Sequence, residues 1–385
     1  MDIFSQTSSI SLTCPKRLTP FLKKELQDLG YNIKRSRKAG AEIEGTLNDC
    51  MNLVLQLRTA HRVHFLIREF KAKTTDTLYK QVNAFPWEAF IEPHEYLSIT
   101  SFVDTPAIDN SQFANLRCKD AVVDRIRSKQ GARPDTGPDL NGSVLFLFWR
   151  NTQVRLFIDA SGESLSRRGY RSHSVNAPMQ ESLAAAIVKA TEWDGNSHFI
   201  NPMCGSGTIA IEAALQATKR PPGSLRPNFG IKHIKGFDEE KWTALRKKLN
   251  ATAKKDFPGK IVATDNDPQA IIAARKNAQT AGVDHLIDFK VCDYKKTPLP
   301  PGDGVVVLNP PYGKRLGDQD QLKPLYAGIG DFFKQQCTSY TGYVFTGNLQ
   351  LAKSIGLRAS RRIPFFNSTI DSRLLKYELY DGSRR

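Results

Sequence analysis

The sequence predicts an α/β protein whose C-terminal half is a doubly wound, mostly parallel sheet, preceded by an α+β region. Three observations carry this. From about residue 197 onward strand, turn and helix alternate. Val305 to Leu308 is a continuous apolar run, as expected of a strand buried on both faces. Polar residues (Asp265, Asp293, Asn309) end successive strands, the edge where open α/β sheets bind ligands.

The first ~170 residues mix short strands and helices without strict alternation. Ile10 to Thr13 alternates like a strand, and Pro20 introduces a helix over Phe21 to Leu29 that Gly30 ends. A helix is expected from about Leu47 to Arg58, then a strand over Val63 to Phe70, and another helix over Asp120 to Lys129. Val144 to Trp149 and Val154 to Ile158, separated by Arg150 to Gln153, read as a hairpin. Ser161 to Asn176 is rich in Ser, Gly and Arg and reads as a linker, after which Pro178 opens a helix through Ala190. Strands follow at Ser197 to Asn201, Lys260 to Thr264 and Ile287 to Val291. Tyr343 to Thr346 is a fifth strand, and Arg362 to Phe366 with Leu374 to Tyr380 form a terminal antiparallel hairpin. Asp267 caps a helix that starts at Pro268 and stops at Gly282.

Composition narrows the partner. The 385 residues hold 55 Lys and Arg against 39 Asp and Glu, a net charge of +16. Such an excess favours a polyanion, because each neutralised phosphate releases a counterion. Charge that only aids solubility remains the alternative. No run approaches the ~20 apolar residues of a spanning helix, and Met1 to Ser11 does not read as a signal peptide. The six cysteines (Cys14, Cys50, Cys118, Cys204, Cys292, Cys337) lie far apart. That argues against a metal site or a disulfide framework and fits a reducing cytoplasm.

The turn Asn201-Pro-Met-Cys-Gly-Ser-Gly-Thr208 joins a strand to a helix. Its glycines allow close approach of a ligand, and the helix start offers unpaired N–H groups. It lacks the Lys of a phosphate loop and the third Gly of a dinucleotide loop, and a purely structural turn is the alternative. Asp265, 60 residues after Gly205, is placed to accept from ribose hydroxyls or to serve as a turn residue. The extra length, about Gln216 to Gly259, is an insertion with a helix over Glu239 to Lys255. Asp293 is placed to meet an adenine amino group, or is a loop acid.

Asn309-Pro310-Pro311-Tyr312 decides between readings. Two prolines after a buried strand cannot extend the sheet. The Asn309 side-chain oxygen and the Pro310 carbonyl can then accept from one exocyclic –NH2 group. Such an amine is a poor nucleophile because its lone pair is delocalised into the ring. Two acceptors localise that pair and aim it at a methyl group. Tyr312 can stack on the base once it leaves its helix.

On these residues, 178–385 resembles a class I S-adenosylmethionine-dependent methyltransferase with an amine-methylating motif. The whole chain resembles the bacterial 23S rRNA guanine-N(2)-methyltransferases that carry a THUMP domain. NPMCGSGTIAIEAAL, TDNDPQAI, NPPYGKRL and SGESLSRRGYR carry the likeness, which runs from about Ile10 to RLLKYEL. It implies a Rossmann-like seven-stranded sheet ending in an antiparallel hairpin. It also implies a ferredoxin-like piece at 1–45, THUMP at 46–160, a linker at 161–177 and the methyltransferase domain at 178–385. S-adenosylmethionine is the implied cofactor and no metal is needed. Gln180 and the turn, with Asn201, Pro202, Cys204, Gly205, Gly207 and Thr208, would hold its methionine end. Asp265, with Asn266, would hold the ribose and Asp293 the adenine, while Asn309, Pro310, Pro311 and Tyr312 hold the target base. The family's turn often begins with Asp where this chain has Asn201.

The implied partner is RNA, 23S rRNA or a large-subunit assembly intermediate, and no membrane. Arg58, Arg62, Arg68, Lys71, Lys73, Arg167, Arg168 and Arg171 are the expected contacts, each with a solvated surface charge as its alternative. Three rival functions stay open. They are guanosine methylation in transfer RNA, adenine methylation in DNA, and a non-catalytic RNA-binding assembly factor.

Overall fold

A computed structural model describes residues 3–108, 110–171, 173, 179–313 and 318–380. The chain forms two compact units. The first holds residues 1–14, 22–165 and 226–248; the second holds 15–21, 166–225 and 249–385.

In the first unit eight strands form one sheet. They are β1 (Ser8–Thr13), β2 (Ile33–Arg37), β3 (Gly40–Gly45), β4 (Arg62–Lys71), β5 (Tyr96–Asp104), β6 (Asp135–Thr136), β7 (Ser143–Arg150) and β8 (Gln153–Asp159). Their order is β2-β3-β1-β4-β8-β7-β5-β6, antiparallel except where β5 pairs with β6 and β7. The expected hairpin is β7–β8, and Asn151 at its turn takes a left-handed φ of 52°. Helix α1 (Thr19–Asp28) is followed by Gly30 at φ 85°, a conformation that glycine adopts without Cβ strain. Helix α2 (Leu47–Gln56) starts with a reciprocal capping box between Thr46 and Asp49. Helix α3 (Thr75–Asn83) precedes β5, and α4 (Ser111–Gln130) begins nine residues earlier than expected. Ala114, Cys118, Ala121, Val122 and Ile126 bury one stripe of α4, and Gly131 ends it.

Buried beside β4 and β8, Asp159 meets Arg62 Nη1 at 2.9 Å and His64 Nε2 at 3.4 Å. Burial pushes its carboxyl up, but His64, Arg62 and the Ser161 N–H outweigh it and hold the carboxyl below the usual range. A depressed pKa in the folded state gives stability that is present at neutral pH and lost as pH falls through that value. Asp159→Asn is therefore expected to cost about 3–5 kcal/mol at pH 7, the cost shrinking as pH falls through the lowered pKa of the folded carboxyl. Urea unfolding of the full chain, followed by tryptophan fluorescence, measures this. Trp87, Trp149 and Trp242 belong to the first unit and Trp193 to the second.

The second unit is the doubly wound domain. Helix α5 (Glu181–Ala190) leads to β9 (His198–Pro202) and α6 (Thr208–Ala217). Helix α7 (Glu239–Ala251) lies in the insertion, with residues 239–248 belonging to the first unit. Then come β10 (Ile261–Asp265), α8 (Pro268–Ala281), β11 (Ile287–Val291), β12 (Gly304–Leu308), α9 (Asp318–Gln336) and β13 (Tyr340–Thr346). Helix α10 (Leu349–Lys353) and the hairpin β14 (Arg361–Asn367) and β15 (Ile370–Glu378) complete it. The seven strands run β11-β10-β9-β12-β13-β15-β14, with the first five parallel and the hairpin antiparallel, as the resemblance implied. The order reverses between β9 and β12, which places the switch point there.

Two differences from the sequence reading stand out. The C-terminal domain was expected to hold everything from 178 onward, but residues 226–248 belong to the first unit. The reason is apolar: Phe229, Ile231, Ile234 and Trp242 are buried there, and Phe237 meets Phe4 with ring centroids 6.3 Å apart. The second concerns the start of α5. Pro178 and five residues of the expected linker (172 and 174–177) lie outside the described residues, and the described helix begins at Glu181 with Gln180 as its N-cap.

Candidate active site

Strands β9 and β12 stay in register only to the pair Ile200–Val306, then part. The gap is stitched by a side chain: Asn201 Nδ2 donates to the Val307 carbonyl at 2.8 Å. Asn201 is fully buried. It fixes the splay of the two strands, whereas the sequence reading had it contacting the cofactor directly. An Asp there could not donate that bond, a physical reason for an amide at this position.

Beyond the splay, the turn folds back through Met203, Gly205 and Gly207, all left-handed at φ 55°, 54° and 80°. A Cβ on Gly207 would lie 2.9 Å from the Ala274 Cβ of α8, so the turn and two helices pack this closely only around glycine. Gly207 caps α6 without a side chain, leaving that helix's first N–H groups open to a ligand.

A cavity of about 440 Å3 opens here. Of the residues expected at the site, Cys204, Gly205, Thr208, Asp265, Asn266, Asp293, Asn309 and Pro311 line it together. Gln180, Asn201, Pro202, Gly207, Pro310 and Tyr312 are not among its lining. Met179, Met203, Ser206, Ile209, Cys292, Tyr294 and Leu325 line it without having been singled out. Most of these flank named residues in the same turns. Leu325 comes from α9, whose interior Pro324 disguises the helix in the sequence.

Asp265 is already half engaged. Its Oδ2 accepts from the Gly205 N–H at 2.9 Å and its Oδ1 from the Asp267 N–H at 3.0 Å. A carboxylate offers about four lone-pair sites, so two remain for a diol. Asp267 does cap α8, accepting from the Gln269 N–H at 2.9 Å. Asp293 accepts from the Lys295 N–H at 2.9 Å, which fixes its carboxylate at the cavity's rim. Burial, helped by the charge of Asp265, pushes the Cys204 thiol well above its ordinary value, so Cys204 is held as the neutral thiol.

The Asn309–Tyr312 loop is held from outside the cavity. Tyr326 of α9 donates to the Pro311 carbonyl at 3.1 Å, and Asn348 Nδ2 donates to the Tyr312 carbonyl at 3.1 Å. Tyr312 Oη donates to Asn309 Oδ1 at 2.6 Å, and its ring packs edge-on against Phe345. That bond orients the Asn309 amide and leaves one lone pair of Oδ1 for another donor.

The basic residues expected to grip RNA divide. Arg168 is buried, with Nε 3.4 Å from Glu212 Oε1, and Arg58 is buried as well. Arg62 is committed to Asp159 and the Gly162 carbonyl. Arg171 reaches the Met179 carbonyl, Thr208 Oγ1 at 3.3 Å and Glu181 at 3.4 Å. Arg68 donates to Gln81 at 2.9 Å. These are internal struts, and only Lys71, Lys73 and Arg167 stand exposed. A charged residue in a sequence does not show whether its partner is a phosphate or a carboxylate of its own chain.

The family described as the RMKL-like methyltransferase domain matches residues 168–376. The chain belongs to this family. An RlmL ferredoxin-like domain matches residues 9–64 and a THUMP domain matches 72–158. The chain is 37% identical over 378 residues to the ribosomal RNA large subunit methyltransferase K/L of Syntrophotalea carbinolica, covering 95% of itself and 53% of that protein. It thus spans about half the length of such relatives. It is 32% identical to the Synechocystis protein slr0064 over 96% of each chain. Among solved structures, SMU.472 complexed with SAH superposes at a TM-score of 0.87, with 25% identity over 99% of this chain and all of that one. As an RMKL-like methyltransferase, the chain has the class I fold, and the cavity lies at its switch point.

Proposed function

We propose that this chain transfers a methyl group from S-adenosylmethionine to the exocyclic 2-amino group of a guanosine in 23S rRNA. One observation carries the reading: Asn309 of the amine-binding motif and Asp265, at the end of β10, line the same cavity. The ribosomal RNA activity named for the K/L relatives, and a THUMP domain in the same chain, support the substrate.

The donor supplies a sulfonium methyl that needs only an aligned nucleophile. The chain's residues hold both reactants. Asp265 accepts from the ribose hydroxyls with the lone pairs left over from Gly205 and Asp267, and Asp293 meets the adenine. The open N–H groups of α6 would take the methionine carboxylate. Asn309 Oδ1 and the Pro310 carbonyl accept from the target –NH2, localising its lone pair for in-line attack. Tyr312 keeps Asn309 turned correctly and lies beside the base. No thiol takes part, consistent with the raised pKa of Cys204.

Labelled S-adenosylmethionine offered with unmodified 23S rRNA, transfer RNA and DNA tests this reading. Label in 23S rRNA alone is expected. Label confined to transfer RNA or DNA would replace the substrate.

A further inference from the structure

The sheet of the first unit has one face that the helices leave open. Along β7, Leu145, Leu147 and Trp149 are buried while Phe146, Phe148 and Arg150 alternate outward. Register sets Phe102 of β5 beside Phe148 and Phe148 beside Arg155 of β8. The Phe102 and Phe148 rings are stacked, 5.3 Å between centroids and 13° apart, and Phe102 is 48% exposed. Beyond Leu97, where its pairing with β6 stops, β5 has β7 as its strand neighbour on one side only, so the stacked rings form an exposed aromatic patch at the open edge of the sheet.

Next to this pair lies a cleft of about 790 Å3, lined by Phe148 itself. Five cations line it (Lys34, Arg35, Arg37, Arg150 and Arg155) against the carboxylates of Glu42, Glu44 and Glu69. Glu42 is fully used: it meets Arg37 at 2.8 Å and Arg155 at 3.1 Å, and accepts from Ser9 at 2.7 Å. The Arg155 guanidinium lies over the Phe157 ring at 5.0 Å, so its position is fixed from both sides. Arg35 is exposed and has no acidic partner among the described residues.

We propose that this face is a stacking platform for unpaired nucleotides of the RNA substrate, with bases on Phe102 and Phe148 and phosphates in the adjoining basic cleft. The inference rests on RNA being the substrate. Aromatic rings beside cations on an open sheet suit bases whose faces are free, and every base has such a face. A duplex keeps its base faces stacked internally, so it meets only the cations. Five cations line the cleft against three carboxylates; Lys34 is paired with Glu44 at 3.0 Å and Arg150 with Asp104 at 3.3 Å, and the excess that remains, within a chain of net charge +16, suits a polyanion.

The test measures fluorescence anisotropy of a labelled 12-nucleotide oligoadenylate and of a 12-base-pair RNA duplex with the full chain. Phe102→Ala with Phe148→Ala is expected to weaken oligoadenylate binding about tenfold or more and to change duplex binding less than twofold. Phe102→Leu keeps apolar bulk without a π face, and is expected to weaken oligoadenylate binding in the same direction. Emission from Trp87 and Trp149 reports that the first unit is folded. Unchanged oligoadenylate affinity in the folded variants, or equal losses for oligomer and duplex, would overturn the platform. Methyl transfer to 23S rRNA by the unaltered chain is scored in parallel. Its absence would defeat the proposed function, while its presence beside unchanged affinity would defeat the platform alone.

Discussion

Asn309→Ala is expected to lower the rate of methyl transfer about 1,000-fold, the scale of losing one preorganised hydrogen-bonding group aimed at developing charge. The loss falls on kcat. S-adenosylhomocysteine affinity, measured by calorimetry, stays within about twofold, because Asp265, Asp293 and the glycine turn are untouched. The structure adds a second, smaller expectation. Tyr312 Oη holds Asn309 Oδ1 at 2.6 Å, so the amide is oriented before any base arrives. Alanine removes the acceptor together with that preorganisation, leaving the target amine with the Pro310 carbonyl alone. An Asn309→Ala chain that methylates RNA at the normal rate would remove the amine-binding mechanism.

Asp265→Ala is expected to weaken S-adenosylhomocysteine binding about 100-fold, roughly the 2.7 kcal/mol that charged hydrogen bonds to a diol would supply. Two effects act together. The ribose loses its acceptor, and the Gly205 N–H loses the carboxylate that anchors the turn at 2.9 Å. Asp265→Asn keeps a Gly205 acceptor and falls between the two. At saturating methyl donor the rate of either variant stays close to that of the unaltered chain, since Asn309 still holds the amine. A calorimetric Kd unchanged in Asp265→Ala would show that the ribose lies elsewhere.

Local chemistry accounts for what the sequence made legible. Asp267, Pro268 and Gly282 mark α8 because a cap, a first-turn proline and a left-handed glycine each act within a few residues. Val305 to Leu308 marks a central strand because burial on both faces leaves no polar alternation. The hairpin at Arg150 to Gln153 was visible for the same kind of reason. What was not legible depends on distance along the chain. Nothing near Trp242 shows that it packs with Phe229 in the first unit. Asn201 has its meaning from Val307, 106 residues on, and Arg168 from Glu212, 44 residues on. The site's cofactor turn and amine loop were readable as motifs. Tyr326 and Asn348, which hold that loop by its carbonyls, are ordinary residues until the fold brings them to it.

The central claim is the atom that receives the methyl group. Methylated 23S rRNA from a reaction with the purified chain, digested to nucleosides and resolved by mass spectrometry, identifies it. The account predicts 2-methylguanosine, absent from the Asn309→Ala reaction. A methyl group on a ring nitrogen, on a carbon or on adenosine would contradict it.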